Sequence, residues 1–340
     1  MASALVLACT REAVADGLIA TYESLFNDHV DITVPGYSGG TNLQLDFPLL
    51  VRVSPNSPAG FSYSRVDPNG KDIRFLYCMT NNGIETIQAV PYEVDNWDTN
   101  GVSTLWVKVP RLQAISANVS LRLKMYWAPD DPDALPANRA SEVWDAYTAV
   151  WHMNSTVEST ANGIATVAGP AVRAGAGAIG LALGTRATTA SGPILAAPKG
   201  TPIDNVTTGA YTVTGWVKIN SAAAGSSWFY TRRATPEDDA YGVEFQPSGA
   251  GLKTWIHTDG ANVDKSTKTL DFGEWVHLAV VHSGQPGKHT VYKNGAAFYE
   301  PTNATREDKN GTLGFALGGL IGDTSEGTLN GDLDEVRIYP

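Results

Sequence analysis

From His29 to Val34 the chain alternates polar His29, Asp31 and Thr33 with apolar Val30, Ile32 and Val34. A period of two puts the apolar set on one face, the pattern of a half-buried β-strand. Similar short runs follow at Phe47–Val53, Ile73–Cys78, Val90–Val94, Thr104–Val109 and Val119–Trp127. Turn-forming clusters separate them: Ser54-Pro55-Asn56-Ser57-Pro58, Asp67-Pro68-Asn69-Gly70, Asn81-Asn82-Gly83 and Asn100-Gly101. The stretch Asp130–Pro136, with three acids and two prolines, then interrupts the pattern, and Asn138–Tyr147 predicts a helical turn or two. Strands resume at Ala210–Asn220, Ser226–Arg232, Tyr241–Gln246, Leu252–Thr258, Glu274–His282 and Lys288–Lys293. Asn294-Gly295 suits the type I′ turn of a tight hairpin.

Many short strands with regular punctuation predict an all-β protein built of β-sandwiches. The predicted organisation is an N-terminal extension at 1–27, a small β-sandwich at 28–140 and a second sandwich at 141–340. Within the extension, Val14, Leu18, Ile19 and Tyr22 of the stretch Arg11–Phe26 fall near helical spacing. The Ala- and Gly-rich segment Ala165–Ala182 carries Arg173 as almost its only charge and reads as irregular sheet-edge structure.

A length of 340 residues agrees with about two domains. A hydrophobic content of 43% with only 17% charged residues excludes disorder, and 34 glycines with 19 prolines argue against a long helical bundle. The net charge of −11 argues against nucleic acid or an anionic membrane surface as partner. No run approaches the roughly 20 apolar residues of a transmembrane helix. The 2 cysteines, Cys9 and Cys78, form no metal-binding spacing, and Cys78 lies in the apolar run Phe75–Met79, as a buried strand thiol would.

Four separated pieces of the second half carry a family resemblance: Tyr211–Lys218, Glu274–Val281, Val291–Gly295 and Leu333–Tyr339. In this order and spacing they resemble the laminin-G-like, concanavalin A-like jelly roll of bacterial surface proteins. In the first half, Asp46–Val51, Asp72–Phe75, Pro91–Asp98 and Leu105–Pro110 resemble a small β domain of unknown function that often precedes this jelly roll. The junction Trp144–Asn154 is similar as well. The resemblance implies an extracytoplasmic location: periplasm, cell surface or secreted. Some relatives carry the pair as the periplasmic part of a TolQ/ExbB-type proton channel, which would tether it to a membrane segment outside this chain.

Jelly rolls of this type often bind calcium through loop acids and carbonyls. Relatives commonly place an Asp before an Asn-Gly pair in the loop after the junction. Here Asn162-Gly163 is kept and the acid is Glu158, which makes Glu158 and Asn162 the candidate calcium ligands. Jelly rolls also build glycosidases, which need two carboxylates flanking the scissile bond. Asp332 and Asp334 share a strand face, but simple alternation turns Glu335 to the other side, and Glu93 and Asp95 are followed by Trp97 in the third place. His277 and His282, five residues apart, point to opposite faces.

Sugars stack on aromatic rings while polar neighbours fix their hydroxyls. The chain has 9 Trp and 13 Tyr. Trp106, Trp216 and Trp275 sit in apolar or alternating runs and read as core. Two sets read as candidate glycan platforms: Lys253, Trp255 and His257 on one face of their strand, and Trp228, Tyr230 and Arg232 on one face of theirs. These residues predict a non-enzymatic binding protein that recognises glycans or another surface ligand. The alternative is a structural or interaction region of an envelope assembly, and a glycoside hydrolase is the third reading.

Overall fold

A computed structural model describes residues 17–340 except 82–83, 118, 120, 187–191, 207–208, 221–226, 234–239, 249–250, 258–262, 285–287, 301–312 and 323–326. At 81, 84, 206, 233, 240–241, 247–248, 251–257 and 263–265 it describes the backbone alone. The chain divides into two compact units, Met1–Val143 and Trp144–Pro340.

Unit 1 contains helix α1 (17–25) and strands β1 (Phe26–Val34), β2 (Gln44–Val53), β3 (Arg74–Asn81), β4 (Ile84–Val90), β5 (Tyr92–Asn96), β6 (Ser103–Leu112) and β7 (Leu121–Pro129). They form a four-stranded sheet of order β1-β7-β3-β4 and a three-stranded sheet of order β2-β6-β5. Phe75, Tyr77, Leu105, Val107, Leu123, Met125 and Trp127 belong to the core of this sandwich. The alternate residues Leu76, Cys78 and Tyr126 form a second cluster with Tyr22 of α1 and Phe26. The helix therefore covers the back of β3 and β7, which explains why Phe75–Met79 is apolar at every position rather than at every second one. Burial pushes the Cys78 thiol up, so it stays protonated and inert. The residues before 17, Val14 among them, lie outside the described residues.

Unit 2 opens with β8 (Ala149–Trp151), β9 (Val167–Ala168), β10 (Arg173–Ala176), β11 (Leu181–Gly184) and β12 (Leu195–Ala197). Helix α2 (Pro202–Val206) precedes β13 (Tyr211–Ile219), β14 (Ser227–Arg233), β15 (Ala240–Ser248), β16 (Gly251–His257) and β17 (Val263–Asp271). Strands β18 (Trp275–His282), β19 (His289–Lys293), β20 (Ala296–Tyr299), β21 (Gly314–Leu317) and β22 (Gly331–Tyr339) complete it. One sheet runs β10-β11-β22-β13-β18-β19-β20, with β8 also paired to β22, and the other runs β17-β16-β15-β14-β21-β12-β9. The core includes Val213, Val217, Val276, Leu278 and Val280 from the first sheet and Phe229, Val243, Phe245, Phe315 and Leu317 from the second. The hairpin between β19 and β20 has φ of +50° at Asn294 and +81° at Gly295, the left-handed pair that its sequence predicted. The Ala- and Gly-rich segment supplies the edge strands β9 and β10 and the start of β11, which lies between β10 and β22.

Strands absent from the sequence pattern include β4 and β17 and the short β9, β10, β11, β12 and β21. Val90–Val94, read as a single strand, is split at Pro91 into the end of β4 and the start of β5. All pairings between strands of either unit's sheets are antiparallel, so each register fixes which side chains share a face.

Candidate functional site

The strand pair β14–β15 separates one of the two predicted platforms. Trp228 lies opposite Glu244 but Tyr230 lies opposite Val243, so the register shifts at Phe229. This bulge sends Trp228 to the Glu244 side, where it packs against Leu320, while Phe229 and Tyr230 both join the core. Arg232 meets Asp204 at 3.5 Å. Trp228, Tyr230 and Arg232 are only 4%, 1% and 1% exposed, so the expectation of a shared stacking surface is corrected: all three are packing residues. Lys253 and Trp255 pair with Gln246 and Glu244 through the backbone of β16, and His257 pairs with Gly242. The side chains of these three candidates lie outside the described residues.

Glu158 and Asn162 close the loop that follows β8. Glu158 Oε1 accepts the backbone N–H groups of Val150 (3.0 Å) and Thr160 (2.7 Å), and Oε2 accepts that of Ile164 (3.2 Å). Asn162 Nδ2 donates to the Thr148 carbonyl at 2.9 Å. A carboxylate ringed by N–H dipoles with their positive ends inward is already satisfied, and the same dipoles repel a cation. The pair ties the loop to β8.

The acids of β22 are arranged differently from simple alternation. Opposite β13, Trp216 faces Asp334 and Thr214 faces Arg337, so β22 carries one extra residue in this interval. Glu335 absorbs it with a φ of +50°. Leu333 and Val336 both belong to the core, which leaves Asp334 and Glu335 together on the opposite face. The expectation that Glu335 turns away from the two aspartates is thus overturned by the bulge.

Each of these acids has a protein partner. Asp332 receives a bidentate pair of bonds from Arg186 at 2.8 and 3.2 Å, and Asp334 Oδ2 accepts the Ile179 N–H at 2.7 Å. Glu335 bonds His152 Nδ1 at 2.9 Å and Arg337 at 2.7 Å. The Arg337 guanidinium lies 4.8 Å from the Trp144 ring centroid, a cation–π contact. Burial alone would push the Glu335 carboxyl up, but the charges and hydrogen bonds of His152 and Arg337 outweigh it and hold the carboxyl below its usual range. His152, which the sequence offered only as a junction residue, thus fastens the last strand to the first one of unit 2.

Beside these acids lies an aromatic surface that pattern reading assigned to the core. Strand β18 alternates half-buried and buried residues, with Val276, Leu278 and Val280 pointing into the core. Trp275 and His277 therefore face outward, in register with Lys218 and Trp216 of β13. Tyr292 of β19 lies opposite Ala279 on that same face. Trp216 and His277 meet edge to face, with centroids 5.3 Å apart. All four rings are half-buried. The signal that could have found this surface was the alternation of β18 itself, counted from its valines. The opposite orientation of His282 held, since it is buried and stacks on His289 at 4.2 Å.

Residues 196–340 match the family model Laminin_G_3, described as the concanavalin A-like lectin/glucanases superfamily. No match is found among curated proteins. Among solved structures, domain 4 of AbnA, a GH43 extracellular arabinanase from Geobacillus stearothermophilus in complex with arabinotriose, is 21% identical at a TM-score of 0.42. That match covers 57% of this chain and 91% of the arabinanase domain. The receptor-binding domain of a botulinum neurotoxin C/D mosaic serotype is 10% identical at 0.42, covering 57% of this chain and 48% of the toxin domain. A heptameric SAP-like pentraxin from Limulus polyphemus is 19% identical at 0.31, covering 38% of this chain and 63% of the pentraxin.

In unit 2 the outward aromatic face has a defined electrostatic character. Burial, with a smaller contribution from the Arg337 charge, holds the His277 imidazole below its usual value. The ring is neutral at pH 7 and offers one donor and one acceptor nitrogen beside Trp216. Lys218 adds a cation at the edge of the same surface.

Proposed function

We propose that the concanavalin A-like unit binds glycans without catalysing their hydrolysis, through the outward face formed by Trp216, Trp275, His277 and Tyr292. The carrying observation is that sheet register brings these half-buried rings together on a face that the core does not use. Aromatic faces stack on the C–H faces of sugar rings, and a neutral imidazole can both give and take a hydroxyl hydrogen bond. The family match, a superfamily of lectins and glucanases, supports a carbohydrate ligand. The paired state of Asp332, Asp334 and Glu335 supports the non-catalytic half of the reading, because a glycosidase needs one carboxylate facing the anomeric carbon and another delivering a proton.

A glycan array followed by calorimetry on the hits tests this. Trp275→Ala and Tyr292→Ala are expected each to weaken binding roughly tenfold, about 1.4 kcal/mol, while the melting temperature stays put. Loss of binding in Trp255→Ala with no effect of Trp275→Ala would move the site to the β16 sheet. Absence of any glycan ligand on the array would overturn the reading.

A further inference from the structure

Unit 1 carries a cleft of about 630 Å³ between the turn that ends at Gly70 and strand β5. Its volume falls within the range of small-ligand sites, roughly 300–1,000 Å³. Lys71 and Arg74 line it, and both also line an adjoining cleft of about 260 Å³. Arg74 is held in place by backbone carbonyls: Nε donates to that of Pro136 at 2.7 Å, and Nη1 to those of Lys71 at 2.8 Å and Ile73 at 2.7 Å. Neither Arg74 nor Lys71 forms an ion pair among the described residues. Asp67 and Asp72 line the adjoining cleft with them, and Arg74 acts on the Asp72 carboxyl through its charge, so the two cations meet at one concave site without a direct ion pair among the described residues. A guanidinium oriented in advance by carbonyls, with Nη2 committed to no carboxylate, is suited to a planar anion.

The third wall is aromatic. Trp97 lies flat against the backbone of Gly70, where an added Cβ would come within 2.7 Å of the ring. Tyr63 contacts it edge to face at 5.2 Å. Gly70 also has a φ of +71°, so any side chain there would be strained as well as obstructed. The indole is thus a rigid surface that loses little freedom when a ligand stacks on it. Glu93 and Asp95 of β5 also line the cleft, and the Asp95 carboxylate accepts from the Thr104 hydroxyl at 2.9 Å.

We infer that this cleft binds an acidic sugar residue, a uronate, with its carboxylate on Arg74 and Lys71 and its ring face on Trp97. This inference does not rest on the glycan reading of unit 2. Calorimetry of the full chain with glucuronate- and galacturonate-containing oligosaccharides, their neutral counterparts and inorganic phosphate tests the assignment. Acidic oligosaccharides are expected to bind, more weakly as salt rises. Lys71→Glu, at an exposed position, is expected to cut affinity tenfold or more without moving the melting temperature. Arg74→Lys is expected to lose the planar fork and bind less tightly. If Arg74→Lys fails to fold, Lys71→Glu still decides. No binding at millimolar acidic sugar would overturn the inference. So would equal binding of the neutral counterparts or of phosphate. Loss of uronate binding in Trp275→Ala, with binding intact in Lys71→Glu, would assign the ligand to the other unit and also overturn it.

Discussion

Glu335 holds a left-handed backbone at φ +50°, buried, with His152 on one carboxylate oxygen and Arg337 on the other. A non-glycine residue in that conformation costs free energy, so the side-chain bonds that anchor it act on the backbone as well as on the charge. Replacing one partner of such a buried cluster leaves the others unsatisfied, and Glu335→Gln is expected to lower stability by about 3–5 kcal/mol near neutral pH. The sign of the pH dependence follows from the depressed carboxyl. Below its ordinary value of 4.5 the unfolded chain takes up a proton before the folded one does. The carboxylate's contribution is therefore complete above 4.5 and is lost as pH falls through the lower folded value. Urea titrations of the wild type and Glu335→Gln across pH 7 to 3 check this. The two stabilities are expected to converge on the acid side, and parallel curves would contradict the cluster's role.

Strands β10 and β11 show how composition serves a neighbouring element. Their glycines make room for the acids of β22: a Cβ on Gly184 would lie 2.2 Å from Asp332 Oδ1, and one on Gly177 would lie 2.6 Å from Asp334 Oδ2. What reads in the sequence as a bland Ala/Gly run is the clearance for two buried carboxylates. Gly184→Ala is expected to displace the Arg186–Asp332 pair and cost about 1–3 kcal/mol. Gly175→Ala, whose Cβ would find its nearest neighbour at 4.0 Å, is expected to leave the melt within a degree or two, that is, within about 0.5 kcal/mol. Thermal melts of the two variants make the comparison, and equal losses would dismiss the clearance argument. The two longest strands without a sequence signal share one property. Both β4 and β17 end their sheets. An edge strand packs against a single neighbour and buries less, so β4, with Thr86, Gln88 and Ala89 exposed, shows little alternation to read. Trp216 and Trp275 were misassigned for the opposite reason: a bulky aromatic in a strongly β-forming run resembles core whichever face it occupies.

At the scale of the molecule, two units each have their own core, one within Met1–Val143 and one within Trp144–Pro340. A unit whose apolar surface is buried internally can fold alone. The fragment 144–340 is therefore expected to express as a folded protein with a single cooperative melt, checked by calorimetry and near-ultraviolet circular dichroism. A fragment with strand content but no cooperative transition would show that its core needs the rest of the chain. Among the described residues, no helix is long and apolar enough to cross a membrane.

By itself the sequence determined the all-β class, the tight Asn-Gly hairpin and the buried apolar strand at Phe75–Met79. These depend on local period and turn chemistry, which each segment carries within itself. Tertiary structure alone decided which aromatic and acidic side chains share a face. One extra residue in a strand shifts everything beyond it by half a period, and the bulges at Phe229 and Glu335 did so at two of the places where the sequence offered candidate chemistry. The pairing of Glu335 with His152, 183 residues away in the chain, has no local signature at all. The cleft around Arg74 is likewise legible only in three dimensions, because the carbonyls that orient the guanidinium come from Lys71, Ile73 and Pro136. Position along the chain says which groups exist, and only packing says which of them are left to meet a ligand.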